Sequence, residues 1–180
     1  SPAAGILFDL GMSQHQVETA GRGFSWAKEG PLDMRMGTSA VTAADLVNQL
    51  PVNELTSLIT KFGEEHQAHS IARRIVANRP LTTTRQLFNL IGRPDRVRRV
   101  FQAIRIAVND ELGAIATSLP IALEVLQAGG RLVVISFHSL EDRIVKQQFV
   151  AWQAAGRGQV LTKKPVLGER GSKLRAFVKQ

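Results

Sequence analysis

Apolar and polar positions follow two rhythms along the chain, and the change of rhythm divides it. Residues 5–8 (Gly-Ile-Leu-Phe) form a short apolar run closed by Asp9 and Gly11, the pattern of a buried parallel strand entering a loop. Residues 19–40 mix glycines and a proline with few periodic apolar positions, which predicts a structured loop too long to be a mere connector. From Thr42 the period becomes helical. Thr42-Ala43-Ala44-Asp45 resembles a capping box, Pro51 sits where a first helical turn tolerates it, and Leu55, Leu58, Ile59 and Phe62 give the next helix an apolar stripe. Residues 64–78 read as a further helix, acidic at its start and carrying Arg73, Arg74 and Arg79 late, and Thr82 or Thr83 caps a short helix ending near Gly92.

Residues 97–126 are expected to form one long helix in which Val100, Phe101, Ile104 and Val108 share a face, broken or kinked at Pro120. Gly129-Gly130 should end it, and residues 131–137 (Arg-Leu-Val-Val-Ile-Ser-Phe) give the strongest strand signal in the chain. Ser139-Leu140-Glu141-Asp142 reads as a second capping box, opening a helix to about Ala155. Residues 159–166 and 173–179 alternate as two strands, joined as a hairpin through residues 168–171. Helices without intervening strands in the middle, with strand and helix signals on both sides, predict an α/β fold. Its sheet domain spans residues 1–40 and 97–180, and a small helical subdomain at residues 41–96 is inserted in it.

With 180 residues, 44% of them apolar, and a mean hydropathy of -0.03, the chain is long enough to bury a core. No apolar run approaches the ~20 residues that cross a bilayer, and the first residues lack a basic leader pattern. The absence of cysteine removes disulfides and thiolate metal sites and suits a reducing, cytoplasmic setting. The four histidines show no metal-ligand spacing with acidic residues, so no metal is expected. The net charge of +8 is uneven: residues 1–90 carry 8 Lys/Arg against 8 Asp/Glu, and residues 91–180 carry 15 against 7. Such a basic half suits a nucleic-acid partner, and equally a solvated surface.

Several blocks then occur in a specific order. They are Asp9-Leu10-Gly11-Met12-Ser13, Arg22-Gly23-Phe24-Ser25, Gly30-Pro31-Leu32-Asp33-Met34-Arg35-Met36, Phe62-Gly63-Glu64-Glu65 with Ile71-Ala72-Arg73, and Phe101-Gln102-Ala103-Ile104-Arg105-Ile106 with Asn109, Glu111 and Leu112. Last comes Ser136-Phe137-His138-Ser139-Leu140-Glu141-Asp142-Arg143-Ile144-Val145-Lys146. In this order and spacing the chain resembles the ribosomal RNA small-subunit methyltransferase H family over most of its length. The resemblance implies a partial Rossmann-like sheet of the S-adenosylmethionine-dependent methyltransferase type with a helical insertion. It also implies S-adenosyl-L-methionine as cofactor and a cytidine in the decoding region of 16S rRNA, on the small ribosomal subunit, as substrate. In that family the aspartate and a glutamine seven residues later contact the cofactor, which here implies Asp9 and Gln16.

Chemistry makes these positions sensible, because ligands of open α/β sheets sit beyond the carboxyl ends of the strands, where Asp9 and His138 are expected. Cytosine N4 is a weak nucleophile, so a site must accept hydrogen bonds from the amine and align it with the methyl carbon. Asp9 and the main-chain carbonyl of Leu10 are the candidates, although an aspartate at this place also suits a turn cap. His138 either contacts RNA or orders the strand-to-helix turn. Arg22, Phe24 and Arg35, with Arg99, Arg105, Lys173 and Arg175, are the candidate RNA contacts, Phe24 suiting core packing more readily than base stacking.

The sequence departs from the family in lacking a glycine-rich opening strand and an acidic residue after a second strand. The strand at residues 5–8 should therefore expose an edge suited to a homodimer or other strand pairing, and cofactor binding should be weak or absent. Two functions stand: an rRNA cytidine N4-methyltransferase seen in part, or a non-catalytic rRNA-binding remnant.

Overall fold

The computed structural model describes residues 2–180, the side chain of Arg170 excepted. Along the chain run β1 (Ala3–Asp9), α1 (Gln14–Glu18), α2 (Ala43–Gln49), α3 (Val52–Gly63), α4 (Ala68–Ala77), α5 (Thr84–Ile91), α6 (Pro94–Asn109), α7 (Glu111–Val125), β2 (Leu126–Ser136), α8 (Ser139–Ala154), β3 (Gly158–Val160), β4 (Val166–Leu167) and β5 (Lys173–Lys179). They form two compact units: residues up to Gly11 together with Glu111–Gln180, and Met12–Asp110.

The first unit is α/β, as the sequence predicts. Its sheet has the order β1-β2-β5-β3, with β4 paired to β5. β1 and β2 are parallel, in register from Gly5↔Arg131 to Asp9↔Ile135, and the other pairs are antiparallel. Alternate residues Leu132, Val134 and Ser136 of β2 turn inward, the period-two pattern of a strand packed on one face. Against them lie Ile115, Leu119 and Leu123 of α7 and Val145, Phe149 and Trp152 of α8. Phe177 of β5 completes an aromatic cluster, with ring centroids 5.3 Å from Phe149 and 5.4 Å from Trp152. β1 stands at the end of the sheet, and Leu7 on it is exposed.

Three local expectations are corrected here. The helix expected over residues 97–126 is two helices, and the break falls at Asp110 (φ 47°), not at Pro120, which α7 accommodates internally. Aspartate is one of the few residues with a side chain that visits this left-handed region routinely. Gly129-Gly130 do not end a helix: they lie inside β2, where the register jumps from Ala3↔Leu126 to Gly5↔Arg131. Gly129 has φ 76°, and a Cβ on Gly130 would come within 2.9 Å of the Gln127 carbonyl, so the pair is what lets the strand bulge. Of the strand expected at residues 159–166, the two ends pair with β5 as β3 and β4, while residues 161–165 form no ladder.

The second unit is helical. Its core joins Leu55 and Ile59 of α3, Ile71 and Ile75 of α4, Leu87 and Ile91 of α5, and Val97, Val100, Phe101 and Ile104 of α6. The expected capping box at Thr42 forms, with the Asp45 amide donating to Thr42 Oγ1 (3.1 Å) and the Thr42 amide to Asp45 Oδ2 (2.8 Å), and Thr83 caps α5 in the same way with Gln86. The unit is larger than residues 41–96. Phe24, Leu32 and Met34 of the preceding loop are buried in its core, and the Leu32 amide donates to the Thr82 carbonyl at 2.9 Å. The Asn109 side chain accepts from the Met36 amide (2.7 Å) and donates to the Met34 carbonyl (2.8 Å). Apolar side chains too widely spaced to show a period thus tie residues 12–40 to the helices.

Phe177→Ala removes the ring shared by two neighbours at the centre of the sheet unit and should cost about 3–5 kcal/mol. Chemical denaturation of the two proteins measures it, and a loss below about 1 kcal/mol would mean that Phe149 and Trp152 close the gap.

Candidate active site

Because β1 and β2 run parallel and end side by side, the residues leaving them share one edge of the sheet. Asp9 lies opposite Ile135, and the Leu10 amide donates to the Ile135 carbonyl at 3.0 Å. The chain then leaves through Gly11 (φ 93°), a conformation that suits glycine. A Cβ at Gly11 would stand 3.2 Å from Cδ2 of Phe137, so the loops after the two strands touch there. Asp9 itself is exposed, and among the described residues its carboxylate has no hydrogen-bond or ionic partner. A turn-capping role for it is therefore not what the fold displays.

The strand-to-helix turn is built on His138 and Glu141. The expected cap at Ser139 is displaced by one residue: His138 is the N-cap of α8, its Nδ1 accepting from the Glu141 amide at 3.4 Å. Glu141 Oε2 reaches back to accept from the amides of Phe137 (2.8 Å) and His138 (3.3 Å). A carboxylate at the third helical position closes this reciprocal pattern, which fixes the cap three residues before it. Glu141 is only 1% exposed. Burial pushes its carboxyl up, but the neighbouring His138 imidazole and the two amides outweigh that and hold it below its ordinary value of 4.5.

Glu111, His138 and Glu141 bring one oxygen or nitrogen each within 4.8 Å of one another, a grouping of the kind that holds metal ions. The sequence spacing did not show it, since Glu111 comes from α7 and the others from the turn before and within α8. With Nδ1 accepting, the ring proton lies on Nε2, which is shut off from solvent 3.2 Å from Glu141 Oε1 but out of line for a hydrogen bond. Within this grouping His138 and Glu141 together build the turn.

Asp9, Leu10 and His138 thus belong to one sheet edge. Gln16 belongs to the other compact unit, where its Oε1 accepts from the Ser13 amide at 2.9 Å as the cap of α1. Most of the cations expected at RNA are engaged. The Arg22 guanidinium donates to the carbonyls of Arg35 (2.8 Å) and Met36 (3.2 Å), and Arg35 grips both oxygens of Asp33 at 2.8 Å. That hydrogen bonding holds the Asp33 carboxyl low. Arg99 pairs with buried Glu65 at 3.2 Å, Arg105 is half-buried on α6, and Lys173 approaches Asp142 at 4.0 Å. Two expectations are revised outright. Phe24 is 6% exposed within the helical core, and the Arg175 side chain, 7% exposed, is fixed bidentately on Asp142 at 2.6 and 3.0 Å. Neither presents a surface to RNA. Sequence reasoning also passed over Phe137, whose ring is 48% exposed beside Gly11. An aromatic residue ending an apolar strand reads as one more core position.

The Glu141 carboxylate should leave a pH signature. Its depressed value in the folded state means that its stabilisation is fully present above pH 4.5 and is lost as the pH falls through the folded value. The difference in unfolding free energy between wild type and Glu141→Gln should be widest at neutral pH and shrink steadily below pH 4.5. A difference that stays constant on acidification would show that the charge contributes nothing.

A model of the MraW methylase family matches residues 2–172. The chain is 48% identical to a ribosomal RNA small subunit methyltransferase H of Coprothermobacter proteolyticus, over 97% of its own length and 66% of the relative's. It is 45% identical to the protein of that name from Heliobacterium modesticaldum (91% and 62%) and 51% identical to the one from a Synechococcus strain (92% and 54%). It spans about half to two-thirds of the length of these curated relatives. Blocks in family order, an α/β sheet and a match over nearly the whole chain agree: the chain belongs to the MraW methylase family.

Proposed function

We propose that this chain carries the base-methylating edge of an S-adenosyl-L-methionine-dependent enzyme of the cytoplasm that modifies N4 of a cytidine in the decoding region of 16S rRNA. The observation that carries the reading is Asp9. It is an exposed, unpartnered carboxylate at the C-terminal end of parallel strands, beside the Leu10 main chain, in a chain whose relatives are named as ribosomal RNA methyltransferases. That edge is where ligands of open α/β sheets bind.

When bound, the donor supplies an electrophilic methyl group on a positively charged sulfur. Asp9 suits part of it, since its carboxylate can accept from an ammonium or hydroxyl group. Toward the base, Asp9 and the Leu10 carbonyl accept the two N4 hydrogens. This draws the nitrogen lone pair out of conjugation with the ring and aims it at the methyl carbon. Asp9 would hold the proton that N4 releases as the N–C bond forms and the methyl–sulfur bond breaks, its electron pair leaving with the neutralised sulfur. His138 works one step back, by fixing the turn that ends β2. The outer edge of β1 is the place for strand pairing, in a homodimer or with a further segment.

The test is transfer of labelled methyl to small ribosomal subunits that lack the modification, with digestion to nucleosides. N4-methylated cytidine should appear with wild type, and Asp9→Ala should lower kcat by about 100-fold or more. Label on another atom, or an Asp9→Ala protein that keeps kcat within about twofold, would overturn the assignment.

A further inference from the structure

We propose that the exposed ring of Phe137 is the platform on which the target pyrimidine stacks once it has left its helix, a role that rests on the methyltransferase reading above. The ring stands at the first residue beyond β2, between Ser136 and Leu140, both of them buried, yet it remains 48% exposed. A lone exposed apolar side chain is ordinary on a protein surface. This one differs in being held. Its amide is fixed by Glu141 Oε2 at 2.8 Å, so the backbone that carries it cannot swing out with the turn.

The ring's own position is set by Gly11. A Cβ there would meet Cδ2 at 3.2 Å, Cε2 at 3.8 Å and Cγ at 3.9 Å, so the ring occupies space that a side chain at position 11 would need. Gly11 follows Asp9 by two residues on the strand exit, and Asp9 pairs with Ile135 two residues before Phe137, so the ring and the carboxylate assigned to the N4 amine leave the same edge of the sheet. An unstacked base loses its neighbours' π faces, and proteins that extrude bases replace them with aromatic side chains while reading the polar edge by hydrogen bonds. Phe137 and Asp9 supply one of each from adjacent loops of one sheet edge. The ring carries no hydrogen-bonding group, so it orients the plane of the base and leaves identity to the edge contacts.

Three variants separate a stacking surface from an apolar filler. Phe137→Ala should lower kcat/KM on unmodified small subunits by about tenfold to hundredfold, the range for loss of one base–aromatic stack. Phe137→Trp should stay within about threefold of wild type, whereas Phe137→Leu, similar in bulk but without a π face, should behave like alanine. An RNA with the fluorescent base pyrrolocytosine at the target position should be quenched on binding to wild type and to Phe137→Trp only. Thermal unfolding of all three variants should match wild type, because the ring is half in solvent.

Full activity in Phe137→Leu would show that bulk is all the position requires and would overturn the proposal. So would weakened S-adenosylmethionine binding in Phe137→Ala by calorimetry with unchanged RNA affinity, since the ring would then serve the adenine of the donor. If wild type methylates cytidine and Phe137→Ala equals it, the stacking role alone fails. If wild type methylates no cytidine, the enzyme reading fails and takes this role with it.

Discussion

Glu141 carries a negative charge into a place almost without solvent, and the edge of the sheet is arranged around making that tolerable. An ion taken out of water must be repaid in hydrogen bonds, and here they come from the amides of Phe137 and His138, with the His138 imidazole 3.2 Å from the other carboxylate oxygen. Those amides are the unsatisfied donors at the start of α8, which would themselves be costly to bury unpaired. Two liabilities cancel at one point, and the turn between strand and helix has one geometry in which they do so. Everything placed by that turn, the Phe137 ring against Gly11 and the end of β2 beside Asp9, inherits its definition.

The same reasoning separates cations that build the fold from cations free to meet a phosphate. Arg175 is nearly buried in a bidentate pair with Asp142, and removing either partner would strand the other. Arg22 and Arg35 spend their donors on carbonyls and on Asp33, holding the loop that brings Phe24, Leu32 and Met34 into the helical core. Exposed residues such as Arg73, Arg85 and Arg98 in the helical unit and Lys146, Lys163 and Lys164 in the sheet unit have no such structural duty in view. A basic composition therefore overstates the number of phosphates the surface can neutralise, and a salt dependence of RNA affinity would count only the second kind.

How legible each feature was depended on how local its cause is. Thr42 with Asp45 and Thr83 with Gln86 satisfy one another within a single turn, so the sequence shows both caps. The strand of residues 131–137 was visible for the same reason. The cap of α8 was misplaced by one residue because Ser139 is the better cap former by type, whereas His138 wins through the reach of Glu141. Gly129-Gly130 after a helix reads as a terminator unless one knows that β1 lies alongside and requires a bulge. Nothing in the spacing of Asp142 and Arg175, 33 residues apart, announces their pair. At the candidate site the motif order singles out Asp9, Leu10 and His138, but no local pattern contains the approach of Phe137 to Gly11.

The way the helical unit is threaded into the sheet gives that edge a further property. Parallel neighbours cannot be joined by a tight turn, so the chain must cross from the end of β1 to the start of β2. Here the crossing contains the whole of Met12–Asp110 before α7 brings it back. The chain departs immediately after Gly11, where a Cβ would stand 3.2 Å from the Phe137 ring, and returns at Glu111, whose carboxylate lies within 4.8 Å of His138 and Glu141. Both covalent links between the units therefore run through residues that contact the strand-to-helix turn. The left-handed backbone at Gly11 and at Asp110 lets each link change direction within one residue.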